Sequence, residues 1–297
     1  MLGSAAARPV ERAPHRPQPS RSTETITRRH ADVIPLRGRM VDDSLHRPGG
    51  RVPQPRQPSA QTEDCHPAEL NLLGGFRLLV AGAPAQVGRT GQRLLAVLAC
   101  RGRQATRTQV AHALWPDTTS ARAHANLRTA LYRLCRSTPD VVQVSTTYLR
   151  LGADLRIDLE QSTRLANRIV GNDVAADDNL FHDALRANLY DDLLPDWDDE
   201  WLADHQYRHR QLRLTALETL SSHLAAAGHY GAAVQTALAA VQADSLRDSA
   251  HQTLIRACLA QGNRHEAYTH YTTYRRILRD ELGLDPPPYI GQLLSSA

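Results

Sequence analysis

The sequence predicts a mainly α protein with small β elements, arranged as two folded parts behind a polar N-terminal tail. Three observations predict it. An Arg-striped helical pattern at residues 120–136 is followed at once by two short β-type runs. Charge divides between the two parts. Beyond Gly152 the pattern is helical throughout and carries an internal period of 34 residues.

Residues 1–66 hold eleven arginines and many of the prolines but no sustained apolar period. Such a segment cannot bury enough surface to offset its ordering entropy, so a disordered basic Pro/Arg-rich tail is expected. Residues 70–73 and 76–80 then read as strands, with Gly74 and Gly75 between them as a turn signal. Residues 92–100 and 108–114 read as short helices. Thr106 stands before the second as N-cap, and Trp115 with Pro116 ends it. In the next helix Ala123, Leu127, Ala130, Leu131 and Leu134 form one apolar stripe. Residues 141–144 and 148–151, separated by Ser145, Thr146 and Thr147, read as a hairpin. Strands, three helices and a terminal hairpin make a winged helix-turn-helix domain, placed at residues 67–155.

At about 100° per residue, Arg122, Asn126, Thr129, Arg133 and Arg136 share a second stripe on the third helix, rich in donors and free of carboxylates. A major groove admits one α-helix, and Arg or Asn on its outward face can make paired contacts to guanine or adenine edges. The charge distribution agrees. Residues 67–152 hold eleven arginines against three acids, whereas residues 153–297 hold thirteen against twenty-one, a balance of +8 against −8 that the overall +4 conceals. A basic domain beside an acidic one points to a nucleic-acid surface on the basic part. Because the chain has no lysine, the placement of arginine says more than its abundance.

In the second part Ala216, Thr219, Leu220, Ala226, Gly228 and Ala233 recur 34 positions later as Ala250, Thr253, Leu254, Ala260, Gly262 and Ala267. This is a tetratricopeptide-like (TPR-like) period, in which the glycine ends one helix and the small alanine lets the next pack closely. Two copies do not bury a continuous core alone, so helices at 161–170, 177–190 and 201–227 are expected to complete the stack. A closing helix at 265–282 stops at Gly283, ahead of three prolines. The all-α domain is placed at 156–290, with a C-terminal tail at 291–297. Trp197 and Trp201 are expected to open its core.

Catalytic chemistry has no candidate site. There is no G-x-S-x-G elbow, and Gly88, Arg89, Thr90 and Gly91 lack the lysine of a P-loop. Asp196, Asp198, Asp199 and Glu200 lack EF-hand spacing and fit better as acids at a helix start. His205 and His209 share a helix face without the glutamate of a zinc protease motif, and read as partly exposed polar residues. Cys65, Cys100, Cys135 and Cys258 lie far apart and read as free thiols. No cofactor and no metal are expected. Neither a secretory signal nor a run of about eighteen apolar residues occurs, so a cytoplasmic protein without membrane partner is expected.

The run LWPDTTSARAHANLRTALYRLCR, residues 114–136, resembles the recognition region of OmpR-type winged helices as used by the SARP antibiotic-regulatory activators of actinobacteria. Residues 193–220 and 245–286 resemble the start and end of the bacterial transcriptional activation domain (BTAD). The resemblance covers about residues 68–290. It implies a nucleoid-associated activator that binds direct repeats in double-stranded promoter DNA as a homodimer, recruits RNA polymerase holoenzyme and switches on secondary-metabolite gene clusters. By position it gives Arg133 the base-reading role, puts Asn126 and Thr129 on the same face and makes Arg122 and Arg136 phosphate contacts. Thr147 and Arg150 fall where the wing approaches the minor groove or backbone. Thr147 departs from the glycine that members often carry before the wing tyrosine, which argues against a tight glycine turn there. The NTPase and sensor regions of longer relatives have no counterpart here, so regulation by ATP or phosphorylation is not expected. The competing function is a TPR-like interaction or ligand-sensing module with weak or no DNA binding.

Overall fold

The computed structural model describes residues 68–173 and 178–295. The expected basic tail, including Cys65, lies outside them. β1 (Ala68–Asn71) pairs antiparallel with β2 (Arg77–Val80), and the turn between them holds Gly74 and Gly75 at positive φ, 71° and 144°. β3 (Ala83–Pro84) extends this sheet on one side and β7 (Leu155–Ile157) returns parallel to β1, giving the order β3-β2-β1-β7. β1 stops at Asn71, short of the expected 73, because the next backbone groups are taken elsewhere. The Asp158 carboxylate accepts hydrogen bonds from the Leu72 and Leu73 N–H groups at 2.9–3.0 Å, and the Leu72 carbonyl accepts one from Leu194 N–H.

α1 (Arg89–Cys100) begins three residues before the expected 92. Gly91 permits this, since a Cβ there would stand 2.8 Å from Val87 Cγ1. β4 (Gln104–Thr106) leads into α2 (Arg107–Leu114), where Thr106 and Gln109 form a reciprocal capping box. α3 (Ser120–Ser137) follows, then β5 (Val142–Val144) and β6 (Tyr148–Leu151), which join β4 in an antiparallel sheet of order β4-β6-β5. Leu70, Leu94, Leu98, Leu127, Leu149 and Leu151 are fully buried between the three helices and the two sheets.

The helical part comprises α4 (Asp158–Val170), α5 (Asp178–Arg186), α6 (Glu200–Ala226), α7 (Tyr230–Ala243), α8 (Asp248–Ala260), α9 (Arg264–Leu282) and α10 (Pro288–Ser295). The two repeats superpose in their chemistry. Gly228 and Gly262 sit at φ 86° and 87°, and the residue after each donates back to Leu224 and Cys258 at 2.8 and 2.9 Å. Ala233 and Ala267 are fully buried, as are Leu220 and Leu254. α5 ends at Arg186 rather than running to Tyr190, because Asn188 turns left-handed (φ 51°) and Leu189 N–H closes onto the Ala184 carbonyl. Residues 291–295, read from the sequence as tail, belong to α10, whose Ile290 is fully buried in the helical core.

The two tryptophans do not open the helical core. Trp197 stacks on Phe76 at 6.1 Å, lies under the Arg89 guanidinium at 4.0 Å, and packs with Leu193, Leu194, Leu202 and Trp201 in the winged-helix core. Segment 193–202 thus sews the helical part onto the first core. Asp199 pairs with Arg93 and Arg89, so that carboxylate is engaged in this seam. Arg213, only 3% exposed, donates to Asp192 and to the Tyr190 carbonyl. His209, expected to be partly exposed, is 7% exposed; its face of α6 turns inward at the same junction, and burial lowers its pKa to about 4.

Candidate nucleic-acid interface

α3 owes its orientation to five inward residues, Ala123, Leu127, Ala130, Leu131 and Leu134, all buried. Opposite them the helix exposes Arg122, Arg128, Thr129, Tyr132, Arg133 and Arg136. No carboxylate lies on this face, and among the described residues none of its four arginines forms an ion pair. Thr129 donates its hydroxyl proton to the Ala125 carbonyl at 3.2 Å, which leaves the oxygen available as an acceptor. Asn126 is half-buried and sits at the edge of the face nearest the core. The centre of the exposed face therefore lies toward Ala125, Thr129, Tyr132 and Arg136.

Tyr132, 68% exposed, and Arg128 were missing from the stripe read in the sequence. The stripe of Arg122, Asn126, Thr129, Arg133 and Arg136 lies on one side of the exposed arc only. Projecting the apolar stripe straight through the helix axis would have found both, because the exposed arc extends equally to the other side.

The wing tip is closed by a side chain in place of a glycine. Ser145 Oγ accepts from the N–H groups of Thr147 and Tyr148 at 3.1 and 3.2 Å, and Ser145 N–H donates to the Tyr148 carbonyl at 3.0 Å. Positive φ falls instead at Asp140, before the hairpin. The turn with Thr147 in the glycine position is thus held by the Ser145 hydroxyl, without the glycine geometry that the sequence put in doubt. Thr147 is exposed at the tip. Arg150 is not free: its Nε donates to Gln104 Oε1 at 2.8 Å and its guanidinium lies 5.8 Å from the Tyr148 ring.

Wing and helix are linked through the start of α2. Arg107 N–H donates to the Thr147 carbonyl at 3.0 Å and its guanidinium to the Ser145 carbonyl at 3.1 Å, while Thr108 Oγ1 lies 3.4 Å from His124 Nε2 on α3. Thr147, Arg107, Thr108 and the first half of α3 are therefore contiguous. The surface combines unpaired guanidinium donors, exposed hydroxyls and one aromatic ring on a helix of the width a major groove accepts.

A winged helix presenting a carboxylate-free arginine face, fused through a shared core to TPR-like helices, defines a winged-helix protein with a helical-repeat domain. Residues 153–295 match the family of the bacterial transcriptional activator domain (BTAD). The regulatory protein AfsR of Streptomyces coelicolor is 33% identical over 260 residues, covering 82% of this chain and 26% of AfsR. AfsR of Streptomyces griseus is 29% identical over 273 residues, covering 83% of this chain and 26% of that protein. The chain thus spans about a quarter of the length of these curated relatives. The solved structure of Mycobacterium tuberculosis EmbR in complex with a low-affinity phosphopeptide shares the fold, with a TM-score of 0.60, 20% identity, and coverage of 77% of this chain and 64% of that one. The helical part is thus a BTAD, and over most of its length the chain is similar to SARP-type regulators. No helix among the described residues is long and apolar enough to cross a membrane.

Proposed function

We propose that this chain activates transcription by binding double-stranded promoter DNA, with α3 in the major groove and the tip of the β5–β6 wing against the backbone. The observation that carries this reading is the exposed face of α3, where four arginines stand without a carboxylate partner among the described residues. Arg133 reads a base edge, Arg122 and Arg136 hold phosphates at the two ends, and Thr129 accepts from a base amino group. Asn126 acts from the inner edge of the groove. At the wing, Thr147 and the Arg107 amide turn approach the backbone, and Arg150 contributes after exchanging Gln104 for phosphate. Two copies on direct repeats place two BTADs side by side to recruit RNA polymerase holoenzyme. The relationship to AfsR supports a regulatory role, and a secondary-metabolite cluster is the proposed target.

The test is a mobility-shift titration of the chain on its own upstream and neighbouring promoter fragments at two salt concentrations, with random DNA as competitor. Selective retardation that weakens steeply with salt is expected, since each neutralised phosphate releases counterions. Folded protein that retards promoter and random fragments alike would overturn sequence-specific activation.

A further inference from the structure

A cleft of about 400 Å³ opens between the end of α1, the first turns of α4 and the middle of α6. Clefts that take small molecules fall between about 300 and 1,000 Å³. The walls here are apolar, formed by Ala99, Leu159, Leu193 and Leu212 with the neutral thiol of Cys100, which burial pushes up to about 12. Charge is confined to the rim. Arg164 and Arg208 stand exposed there. The rim carboxylate, Glu160, is already committed, receiving Arg103 Nε and Nη2 at 2.7 and 3.0 Å and pairing with Arg164 at 3.8 Å. Arg208 forms no ion pair among the described residues. His205 faces Arg208, Arg101 and Asp204; burial first and the two cations next hold its pKa below the ordinary histidine range, so the ring is neutral. His209 also lines the cleft, and its Nδ1 has no hydrogen-bond partner among the described residues.

We propose that this cleft binds a small apolar carboxylic acid, its hydrocarbon body against Leu159, Leu193 and Leu212 and its carboxylate at the Arg208 guanidinium. An apolar body removes the exposed parts of Leu159 and Leu212 from water, which a bare anion leaves wet. The carboxylate supplies the charge-assisted partner that Arg208 lacks, which a neutral molecule leaves unmet. The walls come from α1 of the winged helix and from α4 and α6 of the helical part, so one occupant touches both. The site stands on its own geometry and does not depend on the DNA reading.

The experiment titrates the full chain with octanoate by calorimetry, with 1-octanol and inorganic phosphate as comparison probes, while the His205 imidazole is followed by NMR. Saturable one-to-one octanoate binding is expected, at least about tenfold tighter than either comparison probe, with a shift of the His205 resonances. Arg208→Gln should weaken it at least about fivefold, roughly the loss of one charge-assisted contact. Leu212→Trp, which fills the cleft from α6, should abolish it, and Thr163→Trp, which narrows it from α4, is run beside it, each with a thermal melt to establish folding. Absence of saturable octanoate binding, equal binding of 1-octanol, or binding that survives Arg208→Gln and a folded Trp variant unchanged would overturn the proposal.

Discussion

Arg133 and Arg136 are both exposed arginines on α3, but they are proposed to do different work, and that difference is measurable. Arg133→Ala should cost about 1–3 kcal/mol on the cognate site and relax sequence preference, because a paired contact to a base edge is lost. Arg136→Ala should weaken cognate and random DNA alike. Equal small losses for Arg133→Ala on both DNAs would remove its base-reading role. Buried histidine makes a second, independent prediction. His209 has a folded pKa lowered to about 4, first by burial and then by Arg213, against an ordinary value of 6.5. The unfolded chain therefore takes up a proton between pH 6.5 and 4 that the folded chain refuses. Stability from this group is complete above pH 6.5 and declines as pH falls toward 4, by at most about 3 kcal/mol. His209→Gln should flatten the dependence of the urea midpoint on pH over that window relative to the unsubstituted chain. An identical slope in both proteins would show that the ring is protonated in the fold.

The helices and hairpins follow from periods and stop signals, and their strongest test is the pair of repeat glycines. Gly262 is left-handed at φ 87° with nothing within 4 Å of a would-be Cβ, so Gly262→Ala suffers only the backbone penalty, about 1–2 kcal/mol of destabilisation. Gly231 lies inside α7 with equal space and no positive φ, so Gly231→Ala should stabilise by about 0.5 kcal/mol. Thermal melts of the two variants should move in opposite directions; movement the same way would refute the repeat-cap assignment. The same signals explain what was legible. The 34-residue period carries its own glycine stop, so the ends of α6 and α8 can be framed from sequence, Gly283 ahead of the prolines marks the end of α9, and the apolar stripe of α3 sets that helix to within a residue of its observed end. β3, β4 and β7 are two or three residues long, too short to show an alternation, and their pairing depends on distant partners such as Arg150 opposite Gln104. Asp158 is one acid among many in the sequence, and its work on the Leu72 and Leu73 amides, 86 and 85 positions away, leaves no local trace. Arg128 and Tyr132 were legible in principle, and only the one-sided projection of the α3 stripe hid them.

The basic and acidic halves are held as one body by a core that ignores the charge boundary. Leu193, Leu194, Trp197 and Leu202 from the acidic half are buried with Leu70, Leu94 and Leu149 from the basic half, and β7 closes the first sheet from beyond Gly152. A winged helix cut at Gly152 would lose that strand, the Asp158 contacts to two amides and four large apolar side chains together. The direction in which α3 points is consequently tied to α6, and with it to the repeats that would meet a partner at a promoter. Trp197→Ala tests this coupling, because it removes the ring held between Phe76 and Arg89 without touching a repeat residue. Replacing a buried tryptophan with alanine costs about 3–5 kcal/mol. If the halves unfold as one unit, the helical signal by circular dichroism, dominated by α6 to α9, should fall in the same lowered transition as tertiary signals from the winged helix. If Trp197→Ala instead gave two transitions, with the helical repeats melting at their original temperature, the halves would be independent bodies on a shared seam. The BTAD could not then set the orientation of the DNA-binding helix.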